Sequence, residues 1–120
     1  MSYLDLSNGN FKHCDLTYTN MFHTSVTKAL FKKALMEKTV LTGCEGTDVN
    51  FAGAEMNEVR LDDSLLEKAD FSATTMVGVK FCNASIKDSS FNKSSQTKVD
   101  YTDATLKECT FEVGERFLGD

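Results

Sequence analysis

The sequence lacks proline, tryptophan, long apolar runs and an excess of positive charge. No apolar run approaches the ~20 residues of a membrane-spanning helix. The N-terminus, MSYLDLSNGNF, does not have the charged-then-apolar form of a signal peptide, so we expect a cytoplasmic protein. The net charge of −5 argues against direct binding to nucleic acid or to a membrane, since both attract basic surfaces.

Motifs that carry chemistry are also missing. The four cysteines, Cys14, Cys44, Cys82 and Cys109, form no C-x-x-C pair and no zinc-binding spacing, so they are expected to be free thiols. Of these, Cys82 is expected to point outward, where a thiol is able to react. No glycine-rich loop precedes a helical pattern, and no nucleophile elbow or paired histidine motif occurs. We therefore expect no catalytic residue, no metal site and no cofactor, and we do not expect an enzyme.

Bulky apolar residues recur at every fifth position through nearly the whole chain. In the register of Phe71, from residue 6 to residue 116, 20 of 23 positions are apolar, and the exceptions are Gly46, Gln96 and Arg116. The positions two residues earlier are mostly small, as at Ala54. Because residues two apart lie on the same side of an extended chain, each unit directs one small and one large side chain inward.

A repeat of five residues cannot continue as a straight strand, because side chains alternate between the two faces of a strand. The chain must turn a corner in every unit, which winds it into a parallel β-solenoid. Phenylalanine indicates the size of one turn, because it recurs every 20 residues, at Phe11, Phe31, Phe51, Phe71, Phe91 and Phe111. Four units therefore close one turn and the chain forms about six coils. The six phenylalanines are predicted to stack as a ladder in the core.

Units such as ADFSA (69–73), VNFAG (49–53) and ATLKE (104–108) resemble the A-(D/N)-(L/F)-x-x pattern of the pentapeptide repeat proteins. The resemblance extends over 23 consecutive units. It implies an all-β fold, a right-handed quadrilateral parallel β-helix, as a single domain over residues 1–120. The family pattern is broken before the bulky residue in several units, where Asp or Asn is replaced by Leu30, Leu35, Val40 and Leu65.

These four outward apolar residues are candidates for a surface that binds a partner. An alternative is a local distortion of the coil, particularly near GCEGT (43–47), where Gly46 replaces a bulky residue. Residues 114–120 are expected to form a short C-terminal cap. Phe117 and Leu118 fall at outward positions, so the tail is expected either to fold over the open end of the coil or to join a second copy there as a homodimer.

Two functions are consistent with this architecture. The first is a non-enzymatic protein-interaction or scaffold module that binds a protein through the faces and ends of a rigid rod. The second, implied by the family resemblance, is a DNA mimic that inhibits or protects a type II topoisomerase (gyrase), as the quinolone-resistance members do. The net charge has the sign that mimicry needs, but lysines such as Lys28, Lys33 and Lys38 dilute the negative surface. The first function is therefore favoured.

Overall fold

The computed structural model describes residues 4–111, which form one continuous parallel coil. Backbone bridges join residues 20 positions apart, from Asp5 with Ser25 at one end to Ser90 with Thr110 at the other, and every bridge is parallel. The all-β parallel solenoid with four five-residue units per turn is therefore confirmed. The predicted number of six coils is not confirmed: the regular strands span about three turns, and isolated bridges extend the same spacing beyond them.

Within residues 4–111, seven strands of three residues each form two parallel sheets. The first sheet contains, in order, β1 (Glu45–Thr47), β3 (Leu65–Glu67), β5 (Ser85–Lys87) and β7 (Thr105–Lys107). The second contains β2 (Glu55–Asn57), β4 (Thr75–Val77) and β6 (Ser95–Thr97). Each strand pairs with the strand one turn later, so that Met56 lies beside Met76. Like residues therefore form columns along the coil axis.

The coil has four walls, which we name by their central inward residues. Wall 1 holds Phe11, Phe31, Phe51, Phe71, Phe91 and Phe111; wall 2 holds Leu16, Met36, Met56, Met76 and Gln96; wall 3 holds Met21, Leu41, Leu61, Phe81 and Tyr101; wall 4 holds Leu6, Val26, Gly46, Leu66, Ile86 and Leu106. The first sheet lies in wall 4 and the second in wall 2, so the two sheets are on opposite sides of the core. Walls 1 and 3 are joined through isolated bridges.

The core is most complete in the middle coils. The central inward residues from Met21 to Phe91 are buried, whereas Phe11 near one end is half-buried and Phe111 at the other is exposed. This gradient is expected of a solenoid, because each coil is covered only by the coils directly above and below it.

Every unit turns its corner through a residue with left-handed backbone. From residue 8 to residue 108 each fifth residue has a φ between 52° and 73°, and only Gly43, Gly53 and Gly78 among them are glycine. A non-glycine residue in this region costs roughly 1–2 kcal/mol. The coil therefore stores backbone strain at most of its corners, and the buried core and the hydrogen-bonded columns offset that strain.

The corners are of two kinds. On walls 1 and 3 the chain is closed by a tight turn, in which Ala54 N donates to Phe51 O at 3.0 Å and Ala84 N donates to Phe81 O at 3.0 Å. On walls 2 and 4, from Glu45 onward, the chain is extended as the seven strands. The change begins beside Gly46, but the register is unbroken there.

The bridges of Glu45 establish this continuity, because it pairs with Ser25 on one side and Leu65 on the other. The distortion considered for residues 43–47 is thus a change of corner geometry without any slip of the frame.

The Asp or Asn of the repeat has a local structural role. Asp70 Oδ1 accepts a hydrogen bond from Ser72 N at 2.9 Å, and Asn50 Oδ1 accepts one from Ala52 N at 2.9 Å. The side chain thus connects the residue before the bulky one with the residue after it and stabilises the turn. The same bond occurs at Asp5, Asn10, Asp15, Asn20 and Asp100.

Candidate interaction surfaces

The six phenylalanines of wall 1 stack along the coil axis. Neighbouring ring centroids are 4.7–5.2 Å apart, and the planes of neighbouring rings differ by 3–12°. The four rings from Phe31 to Phe91 are buried. The ladder therefore belongs to the core, and wall 1 meets solvent through the residues on either side of these rings.

A second aromatic stack in wall 3 accommodates a polar residue in the interior. The rings of Phe81 and Tyr101 are 5.1 Å apart with planes 2° from parallel. Tyr101 donates its phenol hydrogen to Gln96 Oε1 at 2.7 Å, so the polar residue that breaks the apolar pattern of wall 2 has a partner. Burial raises the pKa of Tyr101 to about 12 and outweighs the opposing effect of this hydrogen bond.

The structure distributes the four outward apolar residues over four walls. Leu30, Leu35 and Val40 lie on walls 1, 2 and 3 of one coil and are half-buried. We call these three residues the apolar belt. Leu65 lies on wall 4 and is 52% exposed. Because they do not converge on one face, a single flat partner cannot contact all four, and their role in binding stays a prediction.

Leu65 lies in an open groove of about 340 Å³ on wall 4. The groove crosses the strands of the first sheet and is lined in part by Glu45, Glu67 and Lys87. Enclosed pockets bury most of a small ligand, whereas this groove is open along the wall. It is therefore better suited to a segment of another protein than to a small molecule.

The corners form four edges along the rod, and two of these edges differ sharply in charge. We call the edge between walls 1 and 2 the basic edge: its described residues include no carboxylate, and its basic side chains are Lys12, His13, Lys32, Lys33 and Lys93. We call the diagonally opposite edge, between walls 3 and 4, the acidic edge: its described residues include no lysine or arginine, and its carboxylates are Asp62, Asp63 and Asp103. Positive and negative side chains therefore lie on diagonally opposite edges of the rod.

The salt bridge found among residues 4–111 lies beside the acidic edge. Arg60 donates to Asp62 Oδ2 at 2.5 Å, and this carboxylate raises the pKa of the guanidinium. The other oxygen, Asp62 Oδ1, is buried and has no hydrogen-bond partner. Part of the negative charge of this edge is thus neutralised by wall 3 itself.

Cys82 lies in the column of Asp62 and does not have the surroundings of a reactive thiol. Partial burial raises its pKa, and the carboxylates of Asp100 and then Asp62 raise it further, while Lys80 acts in the opposite direction. Because the thiolate is the reactive form, the negative neighbours suppress the reactivity that an outward position suggests.

The other cysteines are also free thiols. Cys44 is fully buried, and burial raises its pKa to about 12. Within residues 4–111, no group of three or more His, Cys, Asp and Glu side chains is arranged to hold a metal ion. The same residues contain no helix with the length and hydropathy needed to span a bilayer. The predicted cap (114–120), with Phe117 and Leu118, lies outside the described residues.

Comparison with protein families identifies the repeat. Residues 27–63 match the family model for pentapeptide repeats, with 8 copies. This part of the chain consists of pentapeptide repeats. The matched segment includes the whole apolar belt and the change of corner geometry at Gly46, so neither departure takes this part of the chain outside the family pattern. Comparison with curated proteins gives no significant match.

Solved structures of pentapeptide repeat proteins share the fold. The protein Rfr23 from the cyanobacterium Cyanothece 51142 superposes with a TM-score of 0.72 at 11% sequence identity, covering 91% of this chain and 84% of that one. AT2G44920 from the Arabidopsis thaliana thylakoid lumen gives a TM-score of 0.59 at 22% identity. That alignment covers 84% of this chain and 63% of the plant protein. At these identities the likeness establishes the fold alone.

A third structure bears on the topoisomerase hypothesis by name only. QnrB1, a plasmid-mediated fluoroquinolone resistance protein, aligns over 95% of this chain and 85% of its own chain, at 13% identity. The TM-score is 0.36, which is too low to support any inference about function.

No local segment of the sequence indicates the basic edge. Its lysines occur at three separate places along the chain, at Lys12, at Lys32 with Lys33, and at Lys93, and nearby residues in the sequence include Asp15 and Glu37. The signal lies in the 20-residue spacing of Lys12 and Lys32 at the same corner position. The coil geometry brings these lysines together on one edge.

Proposed function

We propose that this pentapeptide repeat protein is a non-enzymatic protein-interaction module, whose rigid coil presents surface side chains to a protein partner in the cytoplasm. The observation that carries the proposal is the apolar belt. Leu30, Leu35 and Val40 occupy positions where Asp or Asn elsewhere accepts a local hydrogen bond. Each forgoes a bond worth about 0.5–1.5 kcal/mol and leaves apolar surface in water.

Folding alone gives no reason to retain three such residues in one coil. The side chains point outward and do not fill the core, and their neighbours in the columns are mostly polar, as with Asn10 and Asn50 on either side of Leu30. Contact with a partner removes their apolar surface from water and gives them a favourable role. Leu65 in the groove on wall 4 supports the same interpretation independently.

The coil also suits this function mechanically. Each outward side chain is attached to a backbone that is hydrogen-bonded to the coils on both sides, for example through Leu30 N to Gly9 O at 2.8 Å and Phe31 N to Asn50 O at 2.7 Å. A preorganised backbone lowers the entropy that must be lost on binding. The residues of the belt are thus displayed at fixed spacings.

Photo-crosslinking in the native host tests the proposal. A photoreactive phenylalanine analogue is placed, one at a time, at Leu30, Leu35, Val40 and Leu65, and at Ser95 and Thr105 as exposed controls. We expect a discrete protein adduct from at least one of the four apolar positions, identified by mass spectrometry, and none from the controls. The proposal is contradicted if the four positions give no adduct above the control level.

The topoisomerase hypothesis is the second candidate, and the acidic edge is the observation that favours it. A DNA mimic needs a continuous negative surface, and Asp62, Asp63 and Asp103 supply part of one. The basic edge on the opposite side weighs against it. In a gyrase supercoiling assay with the protein in large molar excess, mimicry predicts inhibition that is weakened by Asp63→Asn/Asp103→Asn. Unchanged supercoiling removes this candidate.

A further inference from the structure

The basic edge, together with the adjoining face of wall 1, has the chemistry of a docking surface. Lys12 and Lys32 lie one above the other in neighbouring coils, and Lys33 follows Lys32 at the left-handed corner position. All three are exposed, and none takes part in the salt bridge found among residues 4–111. Adjacent coils are separated by only about 4.8 Å, so three unpaired positive charges are concentrated at one end of this edge.

An apolar residue lies beside these charges. Leu30 is half-buried on wall 1, two residues before Lys32 in the same coil. Its column contains Asn10 below and Asn50 above, so both of its neighbours in the column are uncharged. The acidic residue of wall 1, Asp70, is two coils further along, and its Oδ1 accepts hydrogen bonds from the backbone N and the Oγ of Ser72.

The next two coils place only small, uncharged side chains on this edge. Lys33 leans toward the following coil, where its Cγ is 3.1 Å from the position that a Cβ on Gly53 would occupy. Beyond it the edge carries Ala52, Gly53, Ser72 and Ala73, which are small and uncharged. Lys93 then follows in the column of Lys33, three coils away. An extended chain is therefore able to lie along the edge without meeting a bulky or negative side chain.

We propose that the basic edge, with Leu30 beside it, binds an acidic segment of a protein partner in extended conformation, with carboxylates facing Lys12, Lys32 and Lys33 and an apolar side chain against Leu30. The proposal rests on the proposed function as a protein-interaction module and assigns one of its surfaces a partner of defined chemistry.

Charge complementarity favours an acidic protein segment over a nucleic acid. The cluster of lysines is short, and wall 2 beside it carries Asp15 and Glu55. A duplex presents phosphates along its whole length, so it brings many of its charges against these carboxylates. A single acidic segment covers the three lysines and avoids wall 2.

The spacing of charges also disfavours a second copy of this chain as the occupant. On the acidic edge, Asp62 is already paired with Arg60. The remaining carboxylates, Asp63 and Asp103, are two coils apart, whereas Lys12 and Lys32 are one coil apart. The two edges therefore do not match one another charge for charge.

The probe for the test is a fluorescein-labelled peptide of eight glutamates with a leucine at its centre, followed by fluorescence anisotropy at low salt. The same peptide with glutamine in place of glutamate and a 20-base-pair DNA duplex serve as comparison ligands. We expect binding of the glutamate peptide that weakens as salt increases, and at least tenfold weaker binding of the glutamine peptide and of the duplex.

Two charge-matched variants locate the site. Lys32→Glu/Lys33→Glu lies on the basic edge, and Lys98→Glu/Lys107→Glu makes the same change in net charge elsewhere on exposed positions. The first is expected to weaken peptide binding at least tenfold and the second less than threefold. Lys32→Gln/Lys33→Gln removes both charges without reversing them and is expected to have an intermediate effect on peptide binding. Circular dichroism melts of the variants control for folding.

The inference is overturned by equal losses in the two glutamate variants, by tighter binding of the duplex than of the peptide, or by no peptide binding at all. Analytical ultracentrifugation of the wild type provides a further check, because concentration-dependent assembly abolished by Lys32→Glu/Lys33→Glu identifies a second copy as the occupant instead. Photo-crosslinks from Leu35, Val40 or Leu65 still support an interaction module in any of these cases, so the two proposals fail separately.

Discussion

The rings of Phe51 and Phe71 are stacked with their centroids 4.8 Å apart and their planes 5° from parallel. This separation equals the distance between hydrogen-bonded strands, because the two residues hold equivalent positions in adjacent coils. The backbone ladder thus dictates the aromatic geometry, and the rings of wall 1 join each coil to the next.

Phe71→Ala is expected to destabilise the protein by about 3–5 kcal/mol, since it removes a buried ring and leaves a cavity between two others. Phe71→Asp, which buries a charge in the ladder, is expected to prevent cooperative folding. Phe22 is exposed on a corner, so Phe22→Ala is the matched control, with an expected change within about 0.5 kcal/mol. Urea denaturation followed by circular dichroism measures all three, and an unaltered midpoint for Phe71→Asp contradicts the stacked core.

Gly43 and Gly78 have similar backbone angles but different space around them. A Cβ added at Gly43 comes within 2.8 Å of the ring of His23, whereas one at Gly78 is 3.4 Å from the side chain of Glu58. Both Gly43→Ala and Gly78→Ala incur the left-handed penalty of about 1 kcal/mol. We expect Gly43→Ala to cost more, because the His23 ring must move.

The double variant His23→Ala/Gly43→Ala isolates this contact. Relative to His23→Ala alone, the added cost of Gly43→Ala is expected to fall to that of Gly78→Ala, as measured by thermal or urea unfolding. An excess cost that persists without the His23 ring assigns the difference to the backbone instead.

Glycine substitutions at Lys68 and Lys87 test whether the left-handed corners store backbone strain. Lys68 has a φ of 56° at a corner, whereas Lys87 ends strand β5. Glycine relieves the left-handed penalty at the corner, but in a strand it only adds flexibility to the unfolded chain. Lys68→Gly is therefore expected to be neutral or stabilising, and Lys87→Gly is expected to destabilise by about 0.5–1 kcal/mol. Equal destabilisation by the two variants refutes stored strain at this corner.

The reactivity of Cys82 is expected to depend on Asp100. Hydrogen bonds from Thr102 lower the pKa of Asp100, so its carboxylate is charged at neutral pH and raises the pKa of the thiol. In a protein with Cys82 as its sole cysteine, Asp100→Asn should lower the thiol pKa and shift the pH profile of iodoacetamide alkylation to lower pH. Near pH 8 the rate should rise a few-fold.

Asp103→Asn is the control for long-range charge, since Asp103 is not among the groups that raise this pKa. A shift of the same size in both variants indicates that the overall charge of the surface, and not the neighbouring carboxylate, determines the behaviour of the thiol.

The sequence predicts the frame of this protein well because the frame depends on side-chain size at a fixed period. Phe71 and Met76 identify their walls by position alone, and the bridges follow the 20-residue spacing that phenylalanine indicates. The left-handed corners are not visible in the same way. Residues as different as Lys68, Ala73 and Asp88 adopt them, since the requirement to turn in every unit overrides residue preference.

The candidate surfaces are predicted only in part. Leu30 and Leu65 are found by their departure from the repeat, but their separation onto different walls requires the coil geometry. The effect of Asp100 on Cys82 likewise depends on residues 18 positions apart being side by side. Contacts of this kind arise from the stacking of coils, and nothing local in the sequence encodes them.

Because of the 20-residue register, the number of residues in the chain determines the wall on which each later side chain lies. Each unit of five residues advances the chain by a quarter turn, so inserting or losing one unit rotates every later column onto the adjacent wall. Lys93 then leaves the edge that it shares with Lys33, and the Phe91 ring leaves the stack above Phe71. Only gains or losses of 20 residues preserve both the ladder and the pattern of charges. This rod is therefore able to change length by whole coils while its surfaces keep their orientation.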